Sequence, residues 1–187
     1  MKRLLFTVLL FIPILAFGQI GEYYYSNGHL KAKGLSFKIK KPLHFKQSEG
    51  VRPNIVQKWR SNKKNGDFVQ FSILVKNDDF IKSLNKNEWK NYLENEGGVK
   101  DFTEGMEEAE NYSYIILDSY PGLISDHINK TQRLSKKYKH YSTAIMVMVE
   151  SHIFLIQLSS NNKELRNQHK EMLNQLAFSV VFPDQYK

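Results

Sequence analysis

The chain predicts an α+β domain in which an antiparallel β-sheet is flanked by helices, and three observations carry that prediction. Runs of alternating apolar and polar residues recur between tight-turn dipeptides, the period-2 pattern of half-buried strands. Two segments, 86–96 and 161–176, instead space their apolar residues three and four apart, the period of a helix. Two late runs, 144–149 and 153–156, are apolar at every position, so the middle of the sheet needs cover on both faces.

Residues 1–18 precede the fold. Lys2 and Arg3 lead into an apolar run from Leu4 to Leu15, and Ala16-Phe17-Gly18 supplies a small-x-small cleavage site ahead of Gln19. This is the tripartite pattern of a cleavable signal peptide. The run is short for ~30 Å of hydrocarbon, and Pro13 interrupts it. The expected location is periplasmic or secreted. No later stretch approaches the ~20 apolar residues of a spanning helix, so the mature chain is expected to have no transmembrane span.

Residues 19–34 are expected to form an N-terminal arm or hairpin, with Asn27-Gly28 in a type I′ turn between Tyr23-Tyr24-Tyr25 and Leu30. Residues 35–183 read as a single α+β domain without linker or repeat. Leu35-Ser36-Phe37-Lys38-Ile39-Lys40 alternates as a half-buried strand, ended by Lys41-Pro42. Strands follow at 55–59 and 67–75, joined at Asn65-Gly66 as an antiparallel hairpin. Phe68, Gln70, Ser72 and Leu74 face one side of the second, and Val69, Phe71, Ile73 and Val75 the other.

The first helix spans 86–96. Asn85 and Glu88 have capping-box spacing, Trp89, Tyr92 and Leu93 share a face, and Gly97-Gly98 marks a stop. The polar, acidic stretch 99–110 reads as a loop. Strands resume at 112–117 and 123–134, with Tyr120-Pro121-Gly122 as a turn or bulge between them. Strands 141–150 and 152–159 form a tight hairpin. The second helix, 161–176, carries capping-box spacing at Asn161 and Glu164 and an apolar stripe of Leu165, Met172, Leu173 and Leu176. Phe178 to Phe182 reads as a closing strand before Pro183.

The absence of Cys removes disulfides, thiolate metal sites and Cys nucleophiles, so an exported domain of this kind must be held by packing. The formal charge is +8 on 187 residues; without Lys2 and Arg3 it is +6 on about 169. That charge is uneven. From Lys31 to Lys64 there are eleven basic residues and one acid, Glu49; from His127 to Val149 five basic residues and no acid; from Asp78 to Asp118 eleven acids and four bases. A basic rim for a partner is therefore expected from Lys38, Lys40, Lys41, Lys58, Arg60, Lys63 and Lys64 together with Lys130, Arg133, Lys136, Lys137 and Lys139. Arg is scarce beside Lys, and Arg is the residue suited to base edges and bidentate phosphate contacts. With export, that argues against nucleic acid.

No chemical signature accompanies this charge. His127, His140 and His152 lack the spacing of a metal motif, and the acidic stretch 99–111 lacks that of a calcium loop. Ser125-Asp126-His127 is not a triad, because consecutive strand residues point to opposite faces. Neither a Gly-x-Ser-x-Gly elbow nor a phosphate-cradling glycine loop occurs. No catalytic residue, metal ligand or cofactor is assigned, and the reading leans away from an enzyme.

From Leu35 to Phe182 the order of elements resembles the PsbP-like fold family. The phrases that carry the resemblance are Leu35-Ser36-Phe37-Lys38-Ile39-Lys40-Lys41-Pro42, Pro121-Gly122 before a strand, the hairpin 141–159, and Leu173-Asn174-Gln175-Leu176-Ala177-Phe178-Ser179-Val180. The aromatic residue usual just after the opening Pro is replaced by Leu43-His44-Phe45. The resemblance implies an α/β/α sandwich and a non-enzymatic binding or accessory role, and it transfers no site residue. The resulting expectation is an exported binding domain that docks on a protein or an anionic envelope component. Two alternatives are an envelope hydrolase of unrecognised type and a carrier of small apolar ligands lined by Met146, Met148 and Phe154.

Overall fold

The computed structural model describes residues 20–103, 107–133 and 136–187, so the signal peptide expected at residues 1–18 lies outside the described residues. Seven strands form one antiparallel sheet: β3 (Lys46–Ser48), β4 (Ile55–Asn62), β5 (Phe68–Asn77), β9 (His152–Ser160), β8 (Lys136–Val149), β7 (Tyr120–Arg133) and β6 (Glu107–Leu117), in that spatial order. The two all-apolar runs lie in β8 and β9, inside the sheet. The fold is α+β, an antiparallel sheet with helices against it.

β1 (Ile20–Tyr25) and β2 (Lys38–Pro42) make a separate antiparallel ribbon. The expected hairpin around Asn27-Gly28 is wider than its turn suggests. Gly28 takes a positive φ of 73°, but the chain then makes a single 3-10 turn at Leu30–Ala32 and pairs only from Lys38 onward. Burial explains the choice. Leu30 is 94% exposed, whereas pairing with β2 brings Tyr24 edge-on to Trp59 at 5.9 Å and leaves Phe37 and Ile39 buried. Buried Ser26 clips the loop by donating to the Leu35 carbonyl at 3.0 Å and accepting from the Phe37 amide at 2.8 Å.

One sheet face is covered by this ribbon and by helices α4 (Lys163–Gln168) and α5 (Lys170–Phe178). Phe71, Ile73, Ile145, Phe154, Ile156 and Leu158 alternate onto that face by register, and all are fully buried. The expected single helix is broken at His169, whose Nδ1 lies 2.7 Å from the Leu165 carbonyl. The cap of α4 is Asn162, not Asn161; Asn161 instead accepts from the Phe68 amide at 3.0 Å, tying the segment to β5. The expected closing strand is also absent. Helix α5 runs through Phe178, and only Val181 bridges Lys38. Phe182 wedges between Tyr120 and Phe154, with ring centroids 5.3 and 5.2 Å away.

Three further helices, α1 (Asp79–Lys82), α2 (Lys86–Glu94) and α3 (Glu96–Thr103), follow β5. The capping box at Asn85 and Glu88 is formed at α2, and Trp89 donates its indole N–H to the Ile81 carbonyl at 2.9 Å. Gly97-Gly98 does not stop the helical course as expected. Asn95 caps the next turn by accepting from the Gly98 amide at 3.0 Å, and a Cβ on Gly98 would sit 2.1 Å from the Tyr92 carbonyl oxygen. The glycine permits close approach of two helices rather than ending one. Within the stretch expected as a loop, residues 99–103 are therefore helix and residues 107–110 strand. The turn before β7 is Asp118-Ser119, both at positive φ, and Tyr120-Pro121-Gly122 opens the strand itself.

Candidate functional site

The second sheet face is divided along its strands. Register places Leu74, Leu155, Met146 and Leu123 in one cross-strand row on it. Met146 and Leu123 are buried there, as is Met148 further along, and α2 contacts β7. The next row is Lys58, Ser72, Gln157, Ala144 and Ser125, and the one after is Arg60, Gln70, Ser159, Ser142 and His127. The face thus passes from apolar to polar within one pleat repeat, ~7 Å along the strands. A groove of about 810 Å³ lies on this face across the seam, lined by Ile55 and Leu74 as well as by polar residues such as Gln70, Ser72, Gln157 and Ser159.

The floor of the groove is held by side-chain hydrogen bonds between neighbouring strands and along them. Gln70 donates to Ser72 Oγ at 2.9 Å, the hydroxyls of Ser142 and Ser159 share a bond at 2.9 Å, and Asn129 donates to Ser142 Oγ at 3.2 Å. The Gln157 amide nitrogen lies 3.3 Å from His127 Nε2. At one wall the Arg60 guanidinium covers the Phe68 ring at 4.1 Å, and His140 meets that ring edge-on at 5.5 Å. Arg52, Lys58, Arg60 and Lys139 line the groove, and none of its lining residues is Asp or Glu. Among the described residues none of these four cations forms a salt bridge.

The basic residues anticipated from the sequence are distributed over several places. Lys58, Arg60 and Lys139 come together at the groove. Lys63 and Lys64 sit in the β4–β5 turn beside its lining residue Gly66. Lys130 is the register partner of Lys139 and pairs with Glu108 at 3.3 Å; Lys137 and Gln132, and Lys136 and Arg133, are backbone register partners at the far end of the β7–β8 hairpin. Lys38 and Lys40 lie over Tyr23 on the ribbon, at 5.2 and 5.9 Å, and Lys41 reaches Glu22 at 4.0 Å. The ribbon lysines belong to the opposite layer.

Sequence reasoning did not single out Arg52, Gln70, Ser72, Asn129, Gln157 or Ser159. The signal was present in the alternate positions of strands, Gln70 and Ser72 between Val69, Phe71 and Ile73, and Gln157 and Ser159 beside Ile156 and Leu158. It becomes a site only when register aligns those positions.

Ser125-Asp126-His127 alternates faces as expected. Asp126 points under the C-terminal helices, where it pairs with buried Arg166 and with Lys170 and accepts from Thr143 Oγ1 at 2.6 Å. Burial pushes its pKa up, but the hydrogen bonds from Lys170 and Thr143 and the charge of Arg166 prevail and hold it at about 2. His127 points the other way. Burial lowers its pKa to about 4, with Asp126 opposing and Arg166 adding, and its Nδ1 has no hydrogen-bond partner among the described residues. The two strongly shifted groups are thus separated by the sheet. His140 lines the groove, while His152 Nε2 lies 3.1 Å from the Lys33 carbonyl. Among the described residues no three His, Asp or Glu side chains group as metal ligands would. Met146, Met148 and Phe154 are all packed in the core, Phe154 on the opposite face from the two methionines.

No family model matches the chain, and neither does any curated protein. Two solved structures are similar in fold. One is the cyanobacterial PsbP (CyanoP) from Synechocystis sp. PCC 6803, 11% identical, covering 86% of this chain and 91% of that one, with a TM-score of 0.48. The other is PA94 from Pseudomonas aeruginosa, a protein of unknown function, 10% identical, covering 86% and 97%, also with a TM-score of 0.48. The chain resembles PsbP at the level of the fold. No helix among the described residues is long and apolar enough to cross a membrane.

Proposed function

We propose that this chain is an exported, non-enzymatic binding domain that docks an anionic partner in the polar groove of its sheet. The observation that carries the reading is the groove lining: four cations, a floor of amides and hydroxyls, and no carboxylate. Low-dielectric walls and converging cations raise the local concentration of anions and speed their encounter. The signal-peptide pattern of residues 1–18 supports export. A hydrolase would need titratable groups converging on the open side, and the carboxylate with the strongest shift, Asp126, faces the other layer.

Elution from a polyanion resin tests this. Lys58→Gln/Arg60→Gln is expected to elute at clearly lower salt, with about a tenfold loss of affinity, since a surface charge contributes ~1 kcal/mol at most. Lys38→Gln/Lys40→Gln removes the same charge from the ribbon and is expected to elute close to the wild type. Equal weakening by both pairs would mean that net charge, not the groove, holds the anion.

A further inference from the structure

We infer that the groove's occupant is a carboxylated oligosaccharide, a short run of uronic-acid-type sugars; this rests on the anion-docking reading and narrows it. Strand position comes first. The floor is made by β5, β9 and β8, each hydrogen-bonded to a neighbouring strand on both sides. An extended peptide is ordinarily held by main-chain bonds from an exposed sheet edge, and these inner strands have no edge to offer. Recognition on this floor must come from side chains.

The side chains are of one kind. Gln70, Ser72, Asn129, Gln157 and Ser159 are amides and hydroxyls, each able both to donate and to accept. Sugar hydroxyls also do both, so each can complete its own pair on this floor. An acidic peptide side chain only accepts, so a peptide could meet the floor's acceptors with its backbone N–H groups alone, and each buried acceptor they do not reach costs ~1–3 kcal/mol. At the rim Tyr138 is exposed and lines the groove. The electron-rich face of an aromatic ring suits the C–H-bearing face of a sugar ring. Lys58 and Arg60 on one wall and Lys139 on the other supply partners for ring carboxylates. The volume of about 810 Å³ falls within the ~300–1,000 Å³ of small-ligand sites, enough for several rings rather than one.

Calorimetric titration of the purified protein with three probes tests the inference: a tetra-galacturonate, its methyl-esterified form, and a glutamate peptide of equal charge. The expected result is that the tetra-galacturonate binds, the ester binds more than tenfold more weakly, and the peptide is the weaker of the two anions. Gln70→Ala and Tyr138→Ala, both at positions that leave the core intact, are each expected to weaken the tetra-galacturonate about 3- to 10-fold, the worth of one net hydrogen bond or ring contact. If the peptide binds as tightly as the sugar acid, or the two alanine variants leave sugar binding unchanged, the oligosaccharide inference is overturned while anion docking stands. If neither anion binds, both are overturned.

Discussion

Replacing Asp126 by Asn probes the contact that ties the C-terminal helices to the sheet. The carboxylate is 5% exposed and lies on β7 among Thr143 of β8, Arg166 of α4 and Lys170 of α5, with Asn111 Nδ2 at 3.3 Å. Its pKa is about 2 against an ordinary 3.8. Each tenfold change in proton affinity is worth about 1.4 kcal/mol, so the ionised form contributes roughly 2 kcal/mol to folding. The folded state binds this proton more weakly than the unfolded chain does. The contribution is therefore whole above about pH 4 and is lost as pH falls towards 2. Asn costs more than that at neutral pH, because Arg166, 4% exposed, loses its anion. Stranding one member of a buried pair costs about 3–5 kcal/mol. Arg166 keeps a bond to Thr143 Oγ1 at 3.0 Å, which favours the lower end. Urea titrations at pH 7, 4 and 2 measure both effects. The variant is expected to lose about 3 kcal/mol at pH 7 and to lack the wild-type decline between pH 4 and 2, and Asp126→Leu/Arg166→Met is expected to recover most of the loss. A cost under about 1 kcal/mol at pH 7, or an unchanged acid limb in the variant, would refute the reasoning.

Two other expectations concern the same sheet. His127 titrates at about 4 rather than 6.5 because burial disfavours its charge. The unfolded chain takes the proton first, so stability is whole above about pH 6.5 and falls by about 3 kcal/mol towards pH 4. His127→Gln should flatten that upper window and leave the lower, Asp126-dependent one in place; a variant whose stability still drops between pH 6.5 and 4 assigns the effect elsewhere. Gly122→Ala should destabilise by about 1–3 kcal/mol through overpacking, since a Cβ there would lie 2.2 Å from the Met146 carbonyl oxygen. Thermal melts that match the wild type would show that β7 and β8 can separate at no cost.

Features encoded within a few residues were legible in the sequence. The capping box at Asn85 and Glu88, the turns at Asn65-Gly66 and Glu150-Ser151, and the alternation of Phe68 to Val75 all depend on neighbours. Elements were missed where tertiary contact overrides a local signal. Helix α3 runs through Gly97-Gly98 because Asn95 caps it and Gly98 must pass close to Tyr92. Strand β6 starts earlier than its alternation shows, because irregular pairing between Glu107 and Ser113, with Glu108 and Asn111 at positive φ, breaks the period. The Asp126–Arg166 pair joins residues forty positions apart, a separation at which no local pattern signals contact. The charge run 31–64 was visible as a run, but its division between ribbon and groove depends on β1–β2 crossing to the other layer.

The seam on the second face links these observations. Leu74, Leu155, Met146 and Leu123 lie on one side of it, and Ser72, Gln157, Ala144 and Ser125 on the other. A helix over Gln70, Gln157 and Ser159 would bury amides and hydroxyls that are now partly exposed, at ~1–3 kcal/mol for each left unsatisfied. Leaving the apolar rows open would forfeit burial worth ~25 cal/mol per Å². In the apolar row Met146 and Leu123 are buried while Leu74 and Leu155 are half-buried; in the polar rows Ser72, Ser125, Ser142 and His127 are buried, and Gln70, Gln157 and Ser159 stay partly open to solvent or to a ligand. The groove is thus lined chiefly from positions in five strands, β4, β5, β7, β8 and β9, that are far apart in sequence. The same alternation that builds the core on one face spaces the donors and acceptors on the other, so a shift of one residue in the β5–β9 register would exchange core and groove together.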